Sequence, residues 1–184
     1  MERAEFAALG ILLLSEKNHA AHTLRSVLTL AGITRITAID TSRRALDILT
    51  MDNYDAIFCD EQSAMVDGLT FPLAVRRRAG ILNPLVPVFV FHERARRHAV
   101  EAARDTGATD FLTCPISPRT VMTKLEAALF HPRPFIKAPD YFGPDRRARQ
   151  RPVWNGEDRR TRMPKKIKIT RDGVVVPGID PVLV

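Results

Sequence analysis

Cysteine is nearly missing from this chain. Only Cys59 and Cys114 occur in 184 residues, and neither has a paired neighbour. That excludes a disulfide framework and a cysteine-rich zinc module. Aromatic residues are sparse too, with one tryptophan, Trp154, and two tyrosines, Tyr54 and Tyr141. No apolar run approaches the ~20 residues of a membrane-spanning helix, so no membrane insertion is expected. The opening Met1-Glu2-Arg3-Ala4-Glu5-Phe6 puts acidic residues before a short apolar run and does not read as a signal peptide. A reducing cytoplasm is the expected setting. No serine or cysteine nucleophile is paired with a base in a recognisable pattern, so no enzyme is expected.

What is present is unevenly charged. Residues 1–130 carry 15 Lys+Arg against 15 Asp+Glu, whereas residues 131–184 carry 13 against 6. The whole formal charge of +7 therefore lies in the second part. A neutral globular domain over 1–130 and a basic arm over 131–184 are expected. A solvated polybasic tail is the plainer account of the arm.

Within 1–130, short apolar runs alternate with amphipathic stretches. Gly10–Leu14, Ile36–Ile39, Ala56–Cys59, Val86–Phe91 and Asp110–Leu112 read as strands. Helices are expected from His19 to Leu30, through Leu49 behind a Thr41 or Ser42 cap, and from Asp67-Gly68 to Arg78. Two more are expected across Ala99–Ala103 and from Ser117 to Phe130. Strict alternation predicts an α/β fold, a doubly wound five-stranded parallel sheet covered on both faces. Ligand sites in such sheets lie at the carboxyl ends of the strands. Ser15, Glu16, Asp60, His92 and Cys114 fall there. Arg94, Arg96, Arg97, His98 and Arg104 form a basic cluster suited to a partner surface. Arg76-Arg77-Arg78 ends a helix, where cations favour the dipole.

The arm is punctuated by Pro132, Pro134, Pro139, Pro144 and Pro152, which exclude a regular helix and predict a largely irregular extension. It also repeats itself. Gly143-Pro144-Asp145-Arg146-Arg147-Ala148-Arg149 and Gly156-Glu157-Asp158-Arg159-Arg160-Thr161-Arg162 share the pattern G-x-D-R-R-x-R. Guanidinium forks bind phosphate and the guanine O6/N7 edge and stack on bases. A carboxylate accepts from the opposite edge of guanine. Two such units suit a twofold, anionic, purine-bearing ligand, with Trp154 available to stack. Farther on, Ile167–Thr170 and Val174–Val176 flank Arg171-Asp172-Gly173, which reads either as a hairpin or as an irregular end.

The first part resembles the CheY-like receiver domain of response regulators over residues 9–130. The resemblance rests on Ser15-Glu16, Tyr54–Asp60, Asp67-Gly68-Leu69, Pro87–His92, Gly107–Leu112 and Cys114-Pro115. It implies that Asp60 stands at the phosphoacceptor position. Ser15 and Glu16 stand where receivers hold magnesium with an aspartate pair. His92 replaces the hydroxyl residue, and Cys114 replaces the lysine that pairs with the phosphoryl group. Phosphoryl transfer needs such cations. Glu16 with Asp60 remains a weak magnesium pair, and Asp60 also reads as a plain acidic residue at a strand end. Pro115 keeps a turn at which receivers use a cis bond.

The arm resembles the arginine-rich segment of the Cle family, CheY-like proteins that bind cyclic di-GMP and act at the flagellar motor and in surface attachment. Tyr141–Arg147, Trp154 and Gly156–Arg160 carry that likeness, and Ala148 departs from it. It implies cyclic di-GMP binding by Tyr141, Asp145, Arg146, Arg147, Arg149, Arg151, Trp154, Asp158, Arg159, Arg160 and Arg162. The implied partner is a protein such as a flagellar motor component. A nucleic-acid-binding basic tail on an atypical response regulator is the alternative. Asp145 and Asp158, each ahead of an arginine pair, weigh against a purely phosphate-seeking arm.

Overall fold

In a computed structural model of the chain, the apolar runs form one parallel sheet. The structure describes residues 6–15, 19–60, 65–67, 69–92, 105–138, 140–146 and 165–167. The strands are β1 (Gly10–Leu14), β2 (Arg35–Ile39), β3 (Ala56–Asp60), β6 (Val88–His92) and β7 (Asp110–Thr113). Their order is β2-β1-β3-β6-β7, with every neighbouring pair parallel. Two short strands, β4 (Met65–Val66) and β5 (Leu69–Thr70), pair antiparallel between β3 and the next helix. The described helices are α1 (His19–Leu30), α2 (Ser42–Leu49), α3 (Phe71–Arg77) and α4 (Pro118–Phe130). The helix expected across Ala99–Ala103 lies outside the described residues.

The pleat sorts alternate residues onto two cores. Leu12, Leu14, Ile57, Cys59, Val88, Val90 and Phe111 pack with Leu46, Leu49, Phe71 and Val75 of α2 and α3. Ile11, Leu13, Ala56, Phe58, Phe89, Phe91 and Leu112 pack with Leu24, Val27 and Leu28 of α1 and Val121 and Leu125 of α4. The rings of Phe58 and Phe89 stack at 4.8 Å. Phe58, Phe71, Phe89 and Phe91 are fully buried, each contributing about 1.5–3 kcal/mol. Burial on both faces is why β1, β3 and β6 read as continuous apolar runs.

Local chemistry adjusts some boundaries. Asp67 takes a positive φ of 49° in the β4–β5 turn, so the third helix begins at Phe71 rather than after Gly68. Pro72 suits that first turn because its missing N–H would be unpaired there. Thr41 stands at the N-cap of α2 in extended backbone, but its side chain makes no capping hydrogen bond.

Within the largely irregular extension, three short strands are described. β8 (Phe135–Lys137), β9 (Phe142–Pro144) and β10 (Lys165–Ile167) form an antiparallel sheet ordered β10-β8-β9. Prolines exclude a helix but not an edge strand, and Pro144 sits on edge strand β9. Ile167 pairs with Phe135 of β8. Its expected hairpin partners, Val174–Val176, lie outside the described residues.

This small sheet rests on Arg76, which is only 3% exposed. Arg76 Nη1 donates to the carbonyls of Pro84 at 2.6 Å and Val86 at 2.8 Å, and Nε donates to Gly107 at 3.3 Å. Its guanidinium lies 5.0 Å from the centre of the Phe135 ring. Arg76 was read as a helix-end cation, and that reading is corrected. The side chain turns inward and binds the carbonyls of other segments, while Arg77 stays exposed. Burial lowers its pKa to about 9, so it remains charged at neutral pH. Beside it, a Cβ on Gly107 (φ +84°) would lie 2.6 Å from the Phe142 carbonyl oxygen. A Cβ on Gly143 would lie 2.6 Å from Gly107 Cα. The two glycines let β9 press backbone to backbone on the receiver.

Removing Arg76 leaves three carbonyls, two of them buried and one part-buried, without this donor. Arg76→Ala is expected to cost on the order of 3 kcal/mol in urea unfolding. Arg77→Ala is expected to stay within about 0.5 kcal/mol of the wild type.

Candidate functional site

The sheet collects four of the expected side chains at one edge. Ser15 follows β1, Asp60 ends β3, His92 ends β6 and Cys114 follows β7. Asp60 is 4% exposed, and Ser15 Oγ donates to its Oδ2 at 3.4 Å. The Ser15 amide donates to the Ile39 carbonyl at 3.0 Å, which fixes the end of β1 beside β2. The Cys114 amide donates to the His92 carbonyl at 3.2 Å, so those two strand ends are tied as well. The Cys114–Pro115 peptide is cis. Glu16 lies outside the described residues.

This edge offers a carboxylate, a hydroxyl, an imidazole and a thiol. Neither Ser15 nor Cys114 supplies a charge at the place where each stands. Among the described residues, no group of three His, Cys, Asp or Glu side chains could hold a metal ion. Magnesium demands a near-octahedral set of hard oxygen ligands. Among the described residues at this edge, Asp60 is the carboxylate that could contribute to such a set. Cys59, next to Asp60, is fully buried. Burial, with the Asp60 charge adding to it, pushes the thiol pKa well up. Cys59 is therefore a protonated core residue and not a nucleophile.

A second constellation sits where the first G-x-D-R-R-x-R copy meets the receiver. Tyr141 Oη donates to the Pro144 carbonyl at 2.6 Å, and the ring is buried. The Arg146 guanidinium lies 4.1 Å from the Tyr141 ring centre, and its Nη1 pairs with Asp105 Oδ1. The Asp145 amide donates to the Pro134 carbonyl at 2.8 Å. Arg133 Nη1 donates to the Asp145 carbonyl at 3.2 Å, and Nη2 donates to the Thr109 carbonyl. Burial raises the Tyr141 pKa above its ordinary 10.0, against the opposing pull of Arg146, Arg133 and Arg76.

Of the expected ligand residues, Tyr141, Asp145 and Arg146 are thus brought together. Arg147, Arg149, Arg151, Trp154, Asp158, Arg159, Arg160 and Arg162 lie outside the described residues, as do Arg94, Arg96, Arg97, His98 and Arg104. Sequence reading missed Asp105, Arg133 and Gly107 as contacts of the arm. It also missed Arg76, although a signal was present. Arg76 follows Pro72 by four residues, so both lie on the buried face of α3.

A doubly wound parallel sheet with a buried carboxylate at the end of its central strand defines a signalling receiver fold. The response regulator receiver domain family matches residues 11–126, and the chain belongs to that family. The transcriptional regulatory protein ZraR of Escherichia coli (strain K12) is 29% identical over 92 residues, which are 50% of this chain and 20% of that protein. A putative response regulator from Chloroflexus aurantiacus J-10-fl superposes with a TM-score of 0.57 at 24% identity, over 64% of this chain and 94% of the other. The receiver domain of sensor histidine kinase PA1611 from Pseudomonas aeruginosa PAO1 gives 0.53 at 23% identity, over 65% and 96%. That domain carries a magnesium ion coordinated in its active-site cleft.

Two outcomes are expected. Incubation with a small acyl phosphate and magnesium should leave the intact mass without a stoichiometric phosphoryl adduct at Asp60. At the second constellation, a raised phenol pKa in the folded state adds stability below pH 10.0, which is lost as pH rises through the folded value. Denaturant unfolding of wild type should weaken above pH 10.0 more than that of Tyr141→Phe. The same variant should lose about 1 kcal/mol at neutral pH with the bond to Pro144.

Proposed function

We propose that the chain is a non-catalytic signalling effector, with residues 1–130 as a degenerate receiver and 131–184 as a ligand-binding arm. The ligand is cyclic di-GMP, held by the two G-x-D-R-R-x-R copies. The receiver surface passes the bound state to a protein partner in the cytoplasm, such as a flagellar motor component. Phosphorylation at Asp60 is not the main control.

One observation carries this reading. The motif occurs twice in one short segment, and the first copy is braced on the receiver through Gly143, Tyr141 and Arg146. A solvated polybasic tail gives no reason for that bracing. The chemistry matches the ligand. Each copy has a carboxylate for the Watson–Crick edge of guanine and guanidiniums for the opposite edge, for phosphate and for stacking. Trp154 adds a stacking face, worth about 1–3 kcal/mol per base. The loss of charged groups around Asp60 agrees with an input other than phosphate.

Calorimetry with cyclic di-GMP, GMP and a short RNA separates the readings. Wild type is expected to bind cyclic di-GMP far more tightly than GMP. Arg146→Ala and Arg159→Ala are each expected to lose about 1.5–3 kcal/mol. No heat at high micromolar cyclic di-GMP would overturn the proposal. Preferential binding of RNA would favour the nucleic-acid alternative.

A further inference from the structure

Arg146 is one of the cations proposed to hold the ligand, yet it is already engaged. Its Nη1 pairs with Asp105, and its flat face covers the Tyr141 ring at 4.1 Å. Asp105 belongs to the receiver, just ahead of the turn at Gly107 on which Gly143 presses. The two ends of the contact therefore belong to different parts of the chain and meet at one place. A guanidinium can stack on one ring face and satisfy one anion along a given edge. A guanidinium has a second face and further N–H donors, so it is a guanine or phosphate taking the Nη1 edge of Arg146 that displaces Asp105.

We infer that the receiver withholds the first motif copy: Asp105 competes with the ligand for Arg146, so capture of ligand by that copy and its release from Asp105 are one event. This rests on the cyclic di-GMP reading for the identity of the competitor, while the Arg146 contact itself does not. The first copy must be taken from an internal carboxylate. The contact is part-exposed, at 45% for Arg146 and 66% for Asp105, so the competition is mild and the lock opens readily. Because the competitor is a receiver residue, the same displacement alters the receiver next to Gly107 whenever ligand binds. Asp105 is a positioning residue here, since it acts on the ligand only through Arg146.

The test uses the full chain with Asp105→Asn, which keeps the size and removes the charge. Asp47→Asn is the control, because it removes an equal charge from a distant pair with Arg78. Two readouts are taken. The first is hydrogen exchange without ligand at the amides of Ala138, Tyr141 and Asp145, whose bonds run within and beneath β8 and β9. Core amides of β3 and β6 serve as the internal reference. Asp105→Asn is expected to speed exchange at the three arm amides relative to the core, and Asp47→Asn to leave it unchanged. The second is the affinity for cyclic di-GMP by calorimetry, expected to rise roughly two- to fivefold in Asp105→Asn alone, the range of one part-exposed ion pair. Arm exchange in Asp105→Asn matching that in Asp47→Asn overturns the inference, and so does an equal affinity where wild type binds. Absence of wild-type binding overturns the proposed function instead, and the exchange readout still decides whether Asp105 holds the arm.

Discussion

A buried guanidinium held by backbone carbonyls sits under the arm, and the way the arm's first strands meet the receiver depends on it. Arg76 satisfies its charge with the dipoles of three backbone carbonyls and the face of Phe135. Two of those carbonyls, Pro84 and Val86, lead into β6, and the third belongs to Gly107 ahead of β7. A cation so buried is costly unless every neighbour is in place. The same side chain therefore sets the entry to β6 and to the edge strand β7, and the seat of Phe135. Its energetics favour a receiver whose lower face is complete only with the arm laid over it.

At the opposite end of the sheet the economy is reversed. The fold preserves the geometry of a strand-end carboxylate site, with Asp60 buried and Ser15 on it, while His92 and Cys114 stand at the neighbouring strand ends. Fold and chemistry are separable because the strand ends are positioned by Leu12, Ile57 and Val90 beneath them, not by the residues in the cleft.

Much of the receiver was legible because its signals are local and strong. Apolar runs bounded by turns gave the strands, and Leu24, Val27 and Leu28 gave the buried face of α1. The convergence of Ser15, Asp60, His92 and Cys114 followed from parallel topology alone. Errors arose where long-range contacts decide. Asp67 at positive φ shortened the third helix from its start, which no periodicity reveals. The strands Phe135–Lys137 and Phe142–Pro144 are too short and too rich in proline context to show an alternating pattern, and they exist because the receiver supports them. Arg76 illustrates the general difficulty. Charge argues for solvent, and only carbonyls distant in sequence, at Pro84, Val86 and Gly107, make the interior tolerable.

The pairing of β10 with β8 changes what kind of polymer the arm is. The stretch between Arg146 and Lys165 holds the second motif copy, and it leaves from β9 and returns in β10, on the two flanks of β8. The strands on either side of it in sequence are therefore held in one sheet. Closing a chain costs entropy that grows with its length. Here that cost falls on folding, because β9 and β10 both pair with β8.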